Sequence, residues 1–342
     1  MNCLLVLDRI GYKKKNAMYK NLLLNYFDKS EIIYTKYEDE MIRKVRNWPF
    51  VGNFLLHILR WGKSFKYAFK MYNTKNIDTI ICLNPIVGMI YGLLPKKKNV
   101  KKVIVCGFLF ENKNNKLYFQ LRKFIAKKSI ENISKVIVYS SSEVDYYSKL
   151  FSINDKFTFV PYGIDYAELK GYACHKLPDE YIFSGGGSNR DYLTLIKSYN
   201  GLKETSVPLV IATQPWRLNG MDTSKCIVLS DVVNETFGDV MKQSKFMVLS
   251  LKDDNISAGH MVMLQALSLG VPIIVNKISA IQDYVDENVV TFYETGNVEQ
   301  LSGLISRYLE NVEELTEKSI KGKSLYENCY TSVALVGRLI TL

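Results

Sequence analysis

Two glycine-containing segments in the second half of the chain carry the residue types best suited to chemistry. The first is Ser184-Gly185-Gly186-Gly187-Ser188-Asn189-Arg190-Asp191, set between a strand-like run, Tyr181–Ser184, and a helical pattern, Leu193–Tyr199. Three glycines at a strand-to-helix turn let a backbone come close to a ligand. The helix start that follows offers free N–H groups and a positive dipole end to a phosphate, and Arg190 adds a forked cationic donor. The plainer alternative is a tight turn with a salt-bridged arginine. The second segment, Ser257-Ala258-Gly259-His260-Met261-Val262-Met263-Leu264-Gln265-Ala266, follows the run Phe246–Leu251 and a polar loop. Ser257 is a favourable N-cap, and Gly259 permits close approach in the first turn. Gln265 lies about two turns beyond Ser257, where its amide would meet hydroxyls. His260 and Gln265 have plainer alternatives too, as a capping or solvated histidine and as a polar side chain bonded to a neighbouring loop. Two anion sites on one side of a sheet suit a diphosphate better than either does alone.

The elements that must position these segments are readable along the whole chain. In the first half, strand-like runs are Cys3–Leu7, Glu31–Thr35, Asp78–Leu83, Lys102–Cys106, Lys135–Tyr139 and Phe157–Pro161. In the second they are Tyr181–Ser184, Leu209–Ala212, Cys226–Ser230, Phe246–Leu251, Pro272–Asn276 and Val289–Phe292. Unbroken apolar runs suit strands covered on both faces, and their alternation with amphipathic segments argues for doubly wound parallel sheets. The expected fold class is α/β, with two Rossmann-like domains facing across a cleft. Ligands of such sheets bind at the carboxyl ends of the strands. The expected seam is Val160-Pro161-Tyr162-Gly163-Ile164-Asp165. It divides residues 1–165, an acceptor- and membrane-facing domain, from 166–325, a ligand-binding domain. Residues 326–342 are expected to form a helix that packs back on the first domain.

At 342 residues with 47% apolar and 23% charged side chains, the chain fits two ordinary globular domains. Its net charge of +11 is uneven: 29 basic and 13 acidic residues give +16 over 1–165, and 16 basic and 21 acidic give −5 over the remainder. A basic half beside an acidic half points to a polyanionic partner for the former. Lysine far outnumbers arginine and no nucleic-acid motif appears, which disfavours nucleic acid. The six cysteines form no C-x-x-C pair, so neither disulfides nor a zinc or other metal site is expected. No secretory signal or spanning segment is seen, and a cytoplasmic, peripheral protein is expected.

These motifs, in this order, resemble group 1 glycosyltransferases, the retaining, family 4-like enzymes of the GT-B fold. Tyr181–Tyr199 is similar to the opening of their donor domain, Val160–Asp165 to the link before it, and Ser257–Asn276 to their signature helix. Tyr139–Phe151, with Glu143 and Tyr146–Tyr147, looks like the end of their acceptor domain. The likeness covers about 139–310 well and the first 130 residues in general architecture. The family's two glutamates, eight positions apart, are replaced by Ser257 and Gln265, and Gly187 stands where an arginine is common. The Ser-Ala-Gly opening resembles enzymes that build bacterial surface polysaccharides. The resemblance implies a nucleotide-sugar donor, first of all a UDP-sugar, with no obligatory metal or further cofactor and with retention at the anomeric carbon. Gly185, Gly186, Gly187, Ser188, Asn189, Arg190, Ser257, Ala258, Gly259, His260 and Gln265 are then the donor-binding residues.

A departing nucleoside diphosphate needs preorganised positive charge, assigned here to Arg190 and the backbone around Gly259. Retention at one site lets the leaving phosphate take the acceptor's proton. If a protein base is used, Glu111, in the loop after Lys102–Cys106, is the candidate. The loop Asp8–Tyr12 is expected at the same cleft, and neither His57 nor His175 is taken as a catalyst. Within Phe54–Tyr72, Ile58, Trp61, Phe65, Phe69 and Tyr72 form one helical stripe, with Arg60, Lys63, Lys66 and Lys70 opposite. Such a helix suits the surface of an anionic membrane, or equally a core helix with its basic side in water. The expected acceptor is a lipid-linked saccharide or growing polysaccharide at the inner face of the cell membrane. Two other readings stay open: a nucleotide-sugar epimerase on the same fold, and a non-catalytic polyanion- or membrane-binding protein.

Overall fold

The structure is a computed structural model, and it describes the chain except residues 9–14, 36–51, 111–114, 167, 170, 172–176, 204–205, 231, 233–234 and 253–257. The described residues divide into two units, Met1–Val160 with Val336–Leu342, and Pro161–Leu335.

The first unit is built on a six-stranded sheet with the order β2-β1-β3-β4-β5-β6. Its strands are β1 (Asn2–Leu7), β2 (Lys29–Tyr34), β3 (Thr79–Cys82), β4 (Lys102–Cys106), β5 (Lys135–Val138) and β6 (Phe157–Phe159). All pairings are parallel, with Cys3 opposite both Ser30 and Thr79. Alternate residues of these strands, Leu4, Val6, Ile80, Cys82, Val103 and Val105 among them, share one core with helices α2 (Gly52–Asn73), α3 (Pro85–Leu93), α4 (Lys116–Asn132) and α5 (Ser141–Phe151). Those four helices therefore cover one face of the sheet. Helix α1 (Asn16–Leu24) precedes β2. Helix α3 starts with Pro85 in its first turn, and Asn84 accepts from the Val87 N–H at 3.1 Å.

The stretch after β4 turns back into this core rather than lying open. Gly107 adopts φ +78°, and Phe108 and Phe110 are buried against Tyr147 and Phe151. The Tyr147 hydroxyl accepts from the Phe110 N–H at 3.1 Å. Glu111, the candidate base, lies outside the described residues, as do Arg9–Tyr12 of the first loop. Glu143 is buried and accepts from the Tyr139 N–H at 3.1 Å, so it braces the turn between β5 and α5.

The second unit repeats the plan with the order β12-β11-β10-β7-β8-β9. The strands are β7 (Ile182–Gly185), β8 (Leu209–Ala212), β9 (Cys226–Leu229), β10 (Phe246–Leu249), β11 (Ile273–Asn276) and β12 (Thr291–Tyr293). The helices are α6 (Tyr192–Asn200), α7 (Glu235–Lys242), α8 (His260–Leu269), α9 (Ser279–Gln282), α10 (Val298–Glu310) and α11 (Val312–Cys329), and α12 (Ser332–Ile340) ends the chain. Every one of the twelve expected strand runs is a strand, and two parallel six-stranded sheets with helices establish the α/β double-Rossmann class.

Pro161–Asp165, read from sequence as the link between domains, is packed into the second unit. The Tyr162 N–H bonds the Tyr284 hydroxyl at 2.8 Å, and the Ile164 N–H bonds the Tyr330 carbonyl at 2.9 Å. A side chain at Gly163 would stand 2.4 Å from the Thr331 carbonyl oxygen, so only glycine fits. Cys3, Cys82, Cys106, Cys226 and Cys329 are free thiols, and burial pushes Cys3 and Cys82 up to about 12.

Candidate functional site

The two glycine segments meet at the carboxyl ends of β7, β8 and β10 within the second unit. β7 runs out at Gly185, where a Cβ would lie 2.7 Å from the Phe237 ring. Gly186 follows at φ +107°, a conformation closed to other residues. A Cβ there would stand 2.5 Å from Nη2 of Arg190. The Gly186 carbonyl is held by two hydroxyls, Tyr192 at 2.7 Å and Thr213 at 2.9 Å. Asn189 then turns in the left-handed region, φ +54°.

Arg190 is not the outstretched phosphate ligand that its sequence position suggests. It is 8% exposed, its Nε donates to the Gly185 carbonyl at 2.9 Å, and its Nη1 donates to the Ser188 carbonyl at 2.7 Å. The guanidinium braces the glycine turn from within. Burial lowers it to about 10, nearby Tyr192 opposes that shift, and Arg217 adds to it. The start of α6 is likewise not open to a ligand anion. The Asp191 carboxylate takes its Thr194 N–H at 3.2 Å, and the Asp191 N–H is spent on the Ser250 carbonyl. A carboxylate already at that helix end repels a second anion.

Arg217 is a candidate site residue absent from the sequence expectations. It follows β8 in a short 3-10 turn, Pro215–Leu218, and stacks on Trp216 at 4.2 Å. Its Nη2 lies 3.1 Å from where a Cβ of Gly187 would be. Gly187 thus makes room for an arginine from another strand end. The signal available in sequence was a basic residue just beyond a strand in the same sheet. Among the described residues no carboxylate pairs with Arg190 or Arg217, and the Asp191 carboxylate beside them is bound to Thr194 at the start of α6.

The second segment starts later than its sequence predicts. Helix α8 begins at His260 with Gly259 as its N-cap, at φ +83°, and no side chain caps it. Ser257, the cap read from sequence, lies outside the described residues. A Cβ on Gly259 would touch Leu251 at 3.0 Å. Leu251 also bridges to Arg190, and Lys252 exchanges backbone and side-chain bonds with Asn189 at 3.1 and 3.0 Å. The loop after β10 therefore draws Ala258–His260 and Gly185–Arg190 together. Its floor is Asn276, fully buried, which accepts from the Leu251 N–H at 2.8 Å and donates to the Leu251 carbonyl at 2.9 Å.

The imidazole of His260 is neither a solvated cap nor available to a ligand. Its Nε2 bonds the Ala280 carbonyl at 2.8 Å and its ring packs on Tyr284 at 4.5 Å. Burial lowers its pKa to about 4, so it is neutral at pH 7 and brings no charge to a phosphate. Only its backbone serves the open helix end. Gln265 is half-buried, with Nε2 2.9 Å from the position of a Cβ on Gly238 of α7. Among the described residues its amide makes no hydrogen bond, which leaves it open to a hydroxyl. The described residues hold no group of three or more side chains able to bind a metal ion.

No protein-family profile matches the chain, and no curated protein matches it. Solved structures do. Sucrose-phosphate synthase from Thermosynechococcus elongatus superposes with a TM-score of 0.65 at 13% identity, over 99% of this chain and 97% of that one. HepE from Anabaena in complex with UDP-glucose gives 0.62 at 12% identity, over 100% and 98%. The lipopolysaccharide outer core galactosyltransferase WaaB, in its apo form, gives 0.56 at 13%, over 99% and 98%. The chain shares the fold of these GT-B glycosyltransferases over its whole length.

Proposed function

We propose that this chain is a glycosyltransferase whose second unit binds a nucleoside-diphosphate sugar, a UDP-sugar, at the turn Gly185–Arg190 and the start of α8. The observation that carries the reading is the cluster of Arg190, Arg217 and the uncapped α8 N-terminus, in which, among the described residues, no carboxylate pairs with either guanidinium. That is a site for an anion with two phosphates. The fold shared with a protein solved with UDP-glucose supports the choice of donor.

The chemistry follows from the charges. As the bond from the anomeric carbon to the diphosphate breaks, negative charge grows on the leaving oxygen. Arg217 is assigned to that oxygen, while Arg190, bonded to the Gly185 and Ser188 carbonyls, adds its field. The backbone N–H groups at the start of α8 supply the remaining positive charge in place of a metal ion. Gln265 and Ser257 are assigned to donor hydroxyls. Retention follows if the acceptor hydroxyl attacks on the face of the departing phosphate, which then takes its proton; Glu111 is the base if one is used. The acceptor is a lipid-linked saccharide or a growing surface polysaccharide, bound by the basic first unit at the cytoplasmic face of the membrane.

Titration calorimetry with UDP and UDP-glucose tests the reading, with and without EDTA. Binding that survives EDTA is expected, together with UDP release when a saccharide acceptor is added. Folded protein that binds no nucleoside diphosphate would overturn it.

A further inference from the structure

The first unit carries a feature that donor binding does not use. Helix α4 buries Ala126, Ser129 and Ile130. The side turned away from the sheet belongs to water, yet it is apolar: Leu117 is 81% exposed, Leu121 57%, Phe124 60% and Ile125 44%. Their spacing of i, i+4, i+7 and i+8 makes them one ridge. Helix α2 does the same. It buries the small Ser64 and Ala68 with Met71, and leaves Ile58, Trp61, Phe65 and Phe69 about half exposed. Helix α3 packs against both, with Ile86 and Leu93 exposed. Three neighbouring helices on one face of the sheet thus show apolar residues outward, a pattern that marks an interaction surface.

The charges decide what it meets. Described α2 carries Arg60, Lys63, Lys66 and Lys70 and no acidic residue. α4 carries five basic residues and a single acidic one, Glu131, which pairs with Lys128 at 3.7 Å. Protein–protein interface cores are depleted of lysine, whereas a helix lying in a bilayer surface combines an apolar ridge with flanking lysines on lipid phosphates. No helix among the described residues is long and apolar enough to cross a membrane. We infer that the outer faces of α2, α3 and α4 form one surface that lies in the headgroup layer of an anionic bilayer, with Leu117, Leu121, Phe124, Trp61 and Phe65 entering the acyl boundary. This deepens the membrane-facing part of the proposed function, and it is tested without the donor site.

The experiment is flotation of the full chain with phosphatidylcholine vesicles, plain or with about 30% phosphatidylglycerol. Fluorescence of Trp61 is followed in a W48F/W216F background. Binding to anionic vesicles alone is expected, with a blue shift of Trp61 and quenching by brominated acyl chains. The exposed pair Leu121→Ser/Phe124→Ser should lower partitioning at least about tenfold, and Lys123→Glu/Lys127→Glu should lower it and flatten its salt dependence. With Trp48 and Trp216 kept, L121S/F124S and Lys123→Glu/Lys127→Glu should retain the parent melting temperature and affinity for UDP, which separates failure here from failure of the donor site. Equal binding by L121S/F124S and the parent, or an unshifted Trp61, would overturn the inference. So would a dimer in light scattering that L121S/F124S dissolves, since the ridge would then belong to a second copy.

Discussion

Arg190 and Arg217 stand about one glycine turn, and the structure predicts opposite consequences for removing them. Arg190 makes two charge-assisted bonds to backbone carbonyls, together contributing about 3–6 kcal/mol. Burial lowers the group to about 10, a penalty of about 3 kcal/mol that offsets part of this. Arg190→Ala should therefore cost about 2 kcal/mol of stability, or about 4–8 °C in the melting temperature of a unit this size, before any ligand is added. Arg217 is half-buried, leans on Trp216 and bonds no protein carbonyl among the described residues. Arg217→Ala should move the melting temperature little, because surface changes stay within about 0.5 kcal/mol. It should weaken UDP by about 10- to 100-fold, the value of one charge-assisted bond to phosphate. Differential scanning calorimetry without ligand and titration calorimetry with UDP separate the two effects. An unchanged melting temperature for R190A, or unchanged UDP affinity for R217A, would refute the division of roles.

Other consequences follow from the same geometry. Gly186→Ala places a Cβ 2.5 Å from the Arg190 guanidinium at φ +107°, so a loss of about 1–3 kcal/mol is expected in urea unfolding, with weaker UDP binding. Asn276→Ala strands the Leu251 N–H and carbonyl in the core; about 2–4 kcal/mol should be lost, seen as a lower urea midpoint at unchanged slope. His260 is held neutral, its pKa lowered from 6.5 to about 4. Between these values the unfolded chain takes up a proton that the folded one refuses, so stability should fall as pH drops from 7 toward 4, by at most about 3 kcal/mol. Urea midpoints at pH 7 and pH 5 for the parent and His260→Gln check this, and the variant should show a shallower fall.

The sheets were legible in the sequence because buried parallel strands are short apolar runs that few other elements imitate. Cys3–Leu7 and Lys102–Cys106 read as strands on that ground and are strands within a residue. The glycine turn was legible as well, but not the work of its arginine: the spacing places Arg190 at the turn without saying whether its side chain points in or out. Arg217 escaped because a basic residue just beyond a strand is a weak mark on its own; it reaches the turn only through the pairing of β7 with β8. The start of α8 was set two residues early because Ser257 has the right chemistry for a cap, whereas the helix is capped by Gly259 in a left-handed conformation. In α2 the periodicity revealed an apolar stripe but not which side meets the sheet. The sheet takes the small residues Ser64 and Ala68, which allow close approach, and leaves Trp61 and Phe65 outside.

The central claim is that a nucleoside diphosphate sits on the two glycine segments of the second unit. Hydrogen exchange with and without UDP tests it most directly, because amide protection reports the site peptide by peptide. Slower exchange is predicted in peptides covering 185–192, 213–218 and 258–265. Saturating UDP that leaves all three unprotected, or protects only peptides of the first unit, would contradict the account.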